Sequence, residues 1–223
     1  MVDNFRPSRR CLYCEAASSK IALCEGCSAS LPWITQACPG CAQPQNFDGL
    51  CARCLKKPRP FDTAWAAFRL EAPIQQAIHG VKYHAGFLQA RLLGELMAQK
   101  LGRRALPLPE LVIPVPLHRD RLMRRGYNQS LEIAHALERT LVIKIGANAA
   151  HRVRATPDQI GLSAAQRRRN LHDAFTVDAR VEGKHIALLD DVMTTGTTLA
   201  ELARAARKAG AVRIEAWAVA RVP

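Results

Sequence analysis

Eight cysteines fall within the first 54 residues as four Cys-x-x-Cys pairs, Cys11/Cys14, Cys24/Cys27, Cys38/Cys41 and Cys51/Cys54, and none follows. No other feature restricts the folding of this chain so tightly. About fifty residues are too few to build a stable apolar core, whereas four such pairs supply two tetrahedral four-cysteine sets that hold a short segment together through metal. Disulfides are the competing use of paired cysteines. A reducing compartment disfavours them, and a redox Cys-x-x-Cys does not come in fours. Structural zinc, one or two ions, is therefore expected, with a full thiolate shell that leaves no open position for catalysis. Spacing alone leaves the pairing open. Tandem sites would join Cys11, Cys14, Cys24 and Cys27 on one ion and Cys38, Cys41, Cys51 and Cys54 on the other; interleaved sites are the alternative. Trp33 and Phe47, beside the cysteine pairs, are expected to form the apolar filling of this segment.

Lys56, Lys57, Pro58, Arg59 and Pro60 make a short basic, proline-containing connection, after which the pattern changes. This places a small zinc-binding domain over residues 1–57 and a larger one over 61–223. Periodicity in the larger part predicts strands at 61–70, 111–115, 147–153, 185–189 and 213–220. It predicts helices at 74–84, 87–101, a stretch ending near Arg139, and 199–208. Strands alternating with helices make an α/β fold with a parallel sheet and flanking helices. At 48% hydrophobic, 223 residues suffice for one such core plus a small appendage. No apolar run approaches the roughly 18 residues of a membrane span, and residues 1–10 are polar and basic with no apolar stretch behind them. A cytoplasmic protein without membrane insertion is expected.

The predicted strand at 185–189 leads into Asp190, Asp191, Val192, Met193, Thr194, Thr195, Gly196, Thr197 and Thr198, and then a helix. In such a unit the loop lies at the carboxyl end of the strand, where open α/β sheets bind ligands, and the helix points its amino terminus there. Gly196 lets the backbone approach closely, while neighbouring N–H groups and the hydroxyls of Thr194, Thr195, Thr197 and Thr198 donate to one anion. Asp190 and Asp191, which only accept when ionised, repel phosphate and suit sugar hydroxyls or the waters around a divalent ion. Phosphate at one end and a diol at the other describe a ribose 5-phosphate. The segment resembles the 5-phosphoribosyl 1-pyrophosphate (PRPP) loop of type I phosphoribosyltransferases.

Two more segments take meaning from that resemblance. The strand at 111–115 ends in Pro114, Val115, Pro116, Leu117, His118 and Arg119, followed by Arg121, Arg124, Arg125, Gly126, Tyr127, Asn128 and Gln129. In type I enzymes the corresponding loop grips pyrophosphate, which makes His118 and Arg119 the candidates here; a solvated basic loop is the alternative. The stretch 152–170 carries Thr156, Pro157, Gln159, Gly161 and Leu162 and then Arg167, Arg168, Arg169 and Asn170. Type I enzymes close such a loop over PRPP and so exclude water. Arg167, Arg168 and Arg169 are thus lid candidates, and a solvated helix face over 163–172 is the competing reading. Lys82, Tyr83 and His84 stand either at the same pocket or at a helix end capped by Gly86.

The order of these motifs, from cysteine pairs through Val-Pro-Leu, Arg-Arg-Gly-Tyr-Asn-Gln and Thr-Pro-x-Gln-x-Gly-Leu to the acidic PRPP loop, resembles the ComF/GntX family over nearly the whole chain. That resemblance implies a double zinc ribbon ahead of a type I phosphoribosyltransferase-like domain and a role in DNA uptake or the use of DNA as a nutrient. It implies PRPP as ligand, Mg²⁺ accompanying it, Asp190 and Asp191 as catalytic residues, and release of pyrophosphate to an acceptor that no residue names. With neither a glutaminase domain nor an amino-terminal cysteine nucleophile, amidotransferase activity is not expected.

A formal net charge of +13 exceeds what a phosphate pocket needs and makes a polyanionic partner expected. Aromatic residues make up only 5% of the chain, so base-stacking platforms are few. Two functions of different class follow: a Mg²⁺-dependent phosphoribosyltransferase, or a PRPP-responsive adaptor without turnover that binds single-stranded DNA or DNA-uptake proteins.

Overall fold

The computed structural model describes residues 9–18, 21–105, 107–154 and 173–223. The amino-terminal segment holds two short strands, β1 (Arg9–Arg10) and β2 (Ala17–Ser18), and two short helices, α1 (Glu25–Ala29) and α2 (Ala52–Lys56). The sulfurs of Cys11, Cys14, Cys24 and Cys27 all lie within 4.8 Å of one another, and those of Cys38, Cys41, Cys51 and Cys54 do likewise. The pairing is tandem. Separations of 3.5 Å for Cys14–Cys24 and 3.8 Å for Cys41–Cys51 fit a zinc tetrahedron, whose edge is roughly 3.8 Å at a Zn–S bond of about 2.3 Å. These residues therefore fit structural zinc.

Downstream run β3 (Thr63–Arg69), α3 (Ile74–Tyr83), α4 (Phe87–Leu101), β4 (Leu111–Pro114), α5 (Arg119–Arg125), α6 (Gln129–Leu141), β5 (Lys144–Ile145), β6 (Ala150–Arg152), β7 (Phe175–Val177), β8 (His185–Met193), α7 (Thr197–Lys208) and β9 (Arg213–Arg221). Five strands pair in the order β3-β9-β8-β4-β5, every pair parallel. Side chains alternate between two covered faces, as a sheet buried on both sides requires. Val112, Ala187, Leu189, Trp217 and Val219 pack with α3, α4 and α6, whereas Ile113, Ile186, Leu188, Ile214 and Ala216 pack with α7.

Three expectations are corrected by this arrangement. The strand predicted at 147–153 shortens to β6 and pairs antiparallel with β7 in a separate ribbon, outside the main sheet. The strand predicted to end at Leu189 continues to Met193 because β9 reaches Arg221 and gives it a partner in register. The basic stretch after β4 is a helix, α5, rather than an open turn.

The zinc segment covers the free edge of β3. Ile34 N–H donates to Ala67 O at 2.9 Å, Ala64 N–H to Pro39 O at 2.7 Å and Arg69 N–H to Pro32 O at 2.9 Å, so backbone groups that would otherwise offer a template for intermolecular pairing are satisfied. Trp33 stacks on Phe68 with ring centroids 4.3 Å apart. Phe47, expected beside it in the apolar filling, is instead 50% exposed.

The two large helices on the first face meet at Gly94. A Cβ there would lie 2.5 Å from Ile133 O and 2.6 Å from Ala136 Cβ. The nearer atom is helix backbone and has no rotamer by which to escape. Gly94→Ala is expected to destabilise the protein by about 1–3 kcal/mol through overpacking. Thermal denaturation checks this, since a drop of roughly 2–4 °C accompanies each kcal/mol in a domain of this size.

Candidate functional site

The chain leaves β4 toward β5 on one side and leaves β8 toward β9 on the other, so neighbouring strands send their connections in opposite directions. A crevice necessarily opens between them at their carboxyl ends. It holds a cavity of about 730 Å³ bounded by the loop after β4, the loop after β8, the end of α3 and one side of α5.

One wall is acidic. Asp191, on β8, is 4% exposed, and its Oδ1 lies 3.2 Å from Lys82 Nζ at the end of α3. Its Oδ2 is buried with no hydrogen-bond partner among the described residues, an acceptor left without a donor in the free protein. Asp190 Oδ1 accepts from Asp191 N–H at 2.9 Å and from Ser130 Oγ at 3.5 Å. Burial, reinforced by the neighbouring charge of Asp191, pushes the Asp190 carboxyl up to about 7, against the opposing pull of Lys82.

The facing wall is basic. Arg121, Arg124 and Arg125 from α5 line it together with Arg152 from β6. Burial and the charges of Arg125 and Arg124 hold the Arg121 guanidinium below its ordinary value, the signature of crowded cations that an anion would relieve. Tyr127, Asn128 and Gln129 frame this wall. Tyr127 Oη donates to Val81 O and fixes the end of α3, Asn128 caps α6 and donates to Val115 O at 3.0 Å, and Gln129 Oε1 accepts from Arg125 at 2.6 Å.

Between the walls sits the hydroxyl-rich loop. Gly196 adopts φ +73° as it opens α7, a left-handed conformation that explains glycine at this position. Thr194 and Thr198 line the cavity. Thr195 and Thr197 bond to each other, Oγ1 to Oγ1 at 2.7 Å, and stiffen the turn.

The double zinc ribbon domain family matches residues 1–55. The chain is 35% identical over 210 residues to DNA utilization protein YhgH of Salmonella typhi, covering 92% of each. It is 35% identical over 222 residues to competence protein F of Haemophilus influenzae, covering 95% of this chain and 96% of that one. The chain belongs to the competence protein F/YhgH family. Among solved structures it is similar to glutamine PRPP amidotransferase of B. subtilis complexed with ADP and GMP, with a TM-score of 0.40 and 21% identity, over 58% of this chain and 25% of that one.

In this competence protein F/YhgH member, Asp190, Asp191, Thr194 and Thr198 come together on one cavity, with Gly196 shaping the turn. His118 and Arg119 do not line it. His118 caps α5, its Nδ1 accepting from Asp120 N–H at 3.4 Å, and Arg119 is exposed. The basic lining comes from the next turn of that helix, at Arg121, Arg124 and Arg125, because α5 turns those positions inward. Lys82, Tyr83 and His84 all line the cavity, and the end of α3 is capped by His84 rather than Gly86. Arg152 was embedded in a basic stretch without a distinguishing signal. The lid candidates Arg167, Arg168 and Arg169 lie outside the described residues. Among the described residues, no helix is long and apolar enough to cross a membrane.

Proposed function

We propose that this cavity binds PRPP and that the protein transfers its 5-phosphoribosyl group to an acceptor nucleophile. One observation carries the reading: an acidic pair and a cluster of arginines face each other across a single cavity at the strand switch point, with a hydroxyl-rich helix start between them. Asp190 and Asp191 accept from the ribose hydroxyls, the partnerless Asp191 Oδ2 gaining a donor. Thr194, Thr198 and the N–H groups opening α7 hold the 5-phosphate, and Arg121, Arg124 and Arg125 stabilise the departing pyrophosphate. In the transfer, the C1–O bond to pyrophosphate breaks with its electron pair going to the leaving group, and the acceptor forms the new bond at C1. Mg²⁺, when bound together with PRPP, would supply further charge neutralisation beside Arg121, Arg124 and Arg125.

The relatives' names, DNA utilization and competence, support a DNA-related role for this chain, in the cytoplasm where thiolates stay reduced for zinc. The net charge of +13 favours a second reading, in which the same cavity binds PRPP without turnover and the basic surface holds single-stranded DNA. A pyrophosphate-release assay with PRPP, Mg²⁺ and nucleobases, ammonia or single-stranded DNA separates the two. Acceptor-dependent release supports transfer; binding without release supports the adaptor. DNA held through phosphates is expected to lose affinity by orders of magnitude between about 50 and 200 mM salt. A flat salt response in a fluorescence-anisotropy titration would remove DNA from the account.

The acidic wall makes ligand affinity pH-dependent. With the Asp190 carboxyl pushed up to about 7, the ionised form, the stronger acceptor for a ribose hydroxyl, is depleted below that pH. PRPP affinity is expected to fall by up to about tenfold per pH unit below 7 and to level off above it. Asp190→Asn lacks this slope, which separates the protein's titration from that of the ligand's phosphate.

A further inference from the structure

Arg221, the last residue of β9, is 3% exposed, and its neighbours within reach are carbonyls. Its Nε donates to Cys41 O at 3.0 Å, and its Nη1 donates to Met193 O at 3.0 Å, to Thr194 O and to Val222 O at 2.7 Å. Cys41 belongs to the second four-cysteine set. Thr194 lines the ligand cavity. One buried side chain therefore bonds both the turn that presents a zinc ligand and the residue that opens the hydroxyl-rich loop. Ala42 and Met193, which neighbour these carbonyls, both belong to the apolar cluster on the second face of the sheet.

A buried guanidinium requires a counter-charge, and among the described residues no carboxylate pairs with Arg221. Four thiolates around a divalent ion leave an all-cysteine zinc site doubly negative. Filling the second site thus supplies the charge that holds Arg221 in place. Emptying it removes that charge and frees the Cys41 turn, which loosens the hold of Arg221 on the Thr194 carbonyl.

We infer that Arg221 is a positioning residue through which zinc occupancy of the second four-cysteine site and ligand occupancy of the cavity are coupled. The inference rests on the reading of the cavity as a PRPP site. Coupling between two binding equilibria is reciprocal: if zinc strengthens PRPP binding, PRPP strengthens zinc binding by the same factor, and slower zinc loss is the expected sign of it. The first four-cysteine set, with Cys14 exposed, should release its ion quickly, whereas the second, with Cys38, Cys41 and Cys54 buried, should release it slowly. Only the slow step should respond to PRPP.

The test follows zinc release from the full-length protein with a mercurial thiol reagent and a chromogenic zinc indicator, with and without saturating PRPP and Mg²⁺. Calorimetric titration of the same zinc-replete sample establishes PRPP binding. The expected result is slowing of the second phase by at least about fivefold, an unchanged first phase, and loss of the effect in Arg221→Lys, which keeps the charge but not the planar fork. PRPP binding accompanied by two unaltered release phases in the wild-type protein overturns the coupling while leaving the PRPP reading intact. Absence of PRPP binding to the zinc-replete protein overturns both. The wild-type comparison decides the question even if Arg221→Lys folds poorly.

Discussion

Removing zinc with excess chelator is expected to unfold residues 11–54 and to drive the protein into aggregates. Among the described residues of this segment the buried ones are Cys11, Cys38, Cys41 and Cys54 with only Leu23, Leu31, Pro32 and Ala42 beside them, too few for an apolar core, so metal ligation carries its folding energy. That contribution is about 10–16 kcal/mol for a structural zinc site, comparable with the entire stability of a typical domain at about 5–15 kcal/mol. The consequence extends beyond the segment, because Pro32, Ile34 and Pro39 hydrogen-bond to β3. Once the segment unfolds, β3 becomes an exposed parallel edge with unpaired backbone groups. Hydrogen exchange should show the Ala64 and Arg69 amides losing protection together with the amino-terminal segment, accompanied by rising light scatter. Retention of protection at Ala64 and Arg69 after two equivalents of zinc have been extracted would refute this.

Asp190→Asn is expected to stabilise the fold while weakening the ligand. The native carboxyl keeps its proton to about pH 7, whereas the unfolded one releases it near its ordinary value, so the native state binds more protons between those limits. Stability therefore falls as pH rises from about 4 to about 7 and is level above. Asparagine has no charge to bury and no repulsion from Asp191. Wild type and variant should melt alike near pH 4, and a gap on the order of 2 kcal/mol should open by pH 8, allowing for water in the cavity. In thermal melts this is a rise of roughly 4–8 °C. A variant less stable than the wild type at pH 8 would mean that Asp190 supports the fold rather than being held there at its expense.

Much of this was legible in the sequence because the signals were local. Four Cys-x-x-Cys pairs announce metal whatever surrounds them, and the span from β8 through Gly196 to α7 carries strand, turn and helix start in consecutive residues. What was not legible depended on partners far away in the chain. Spacing could not decide tandem against interleaved pairing, which is set by how the two cysteine turns face one another. The length of β8 depended on β9, and the placement of β6 depended on β7. The inward side of the basic segment depended on its being the helix α5, which turns Arg121, Arg124 and Arg125 toward the cavity while His118 becomes a cap. The pairing of Lys82 with Asp191 joins residues more than a hundred positions apart, and Arg221 reads from sequence as an ordinary arginine at the end of a strand.

Calorimetric titration with PRPP and Mg²⁺ of the zinc-replete protein and of Asp190→Asn/Asp191→Asn decides whether the acidic wall binds the ribose. Saturable binding to the wild type and none to the double variant, with zinc content and fold unchanged, is the expected result. Absence of binding to the wild type, or equal affinity in the double variant, would contradict it.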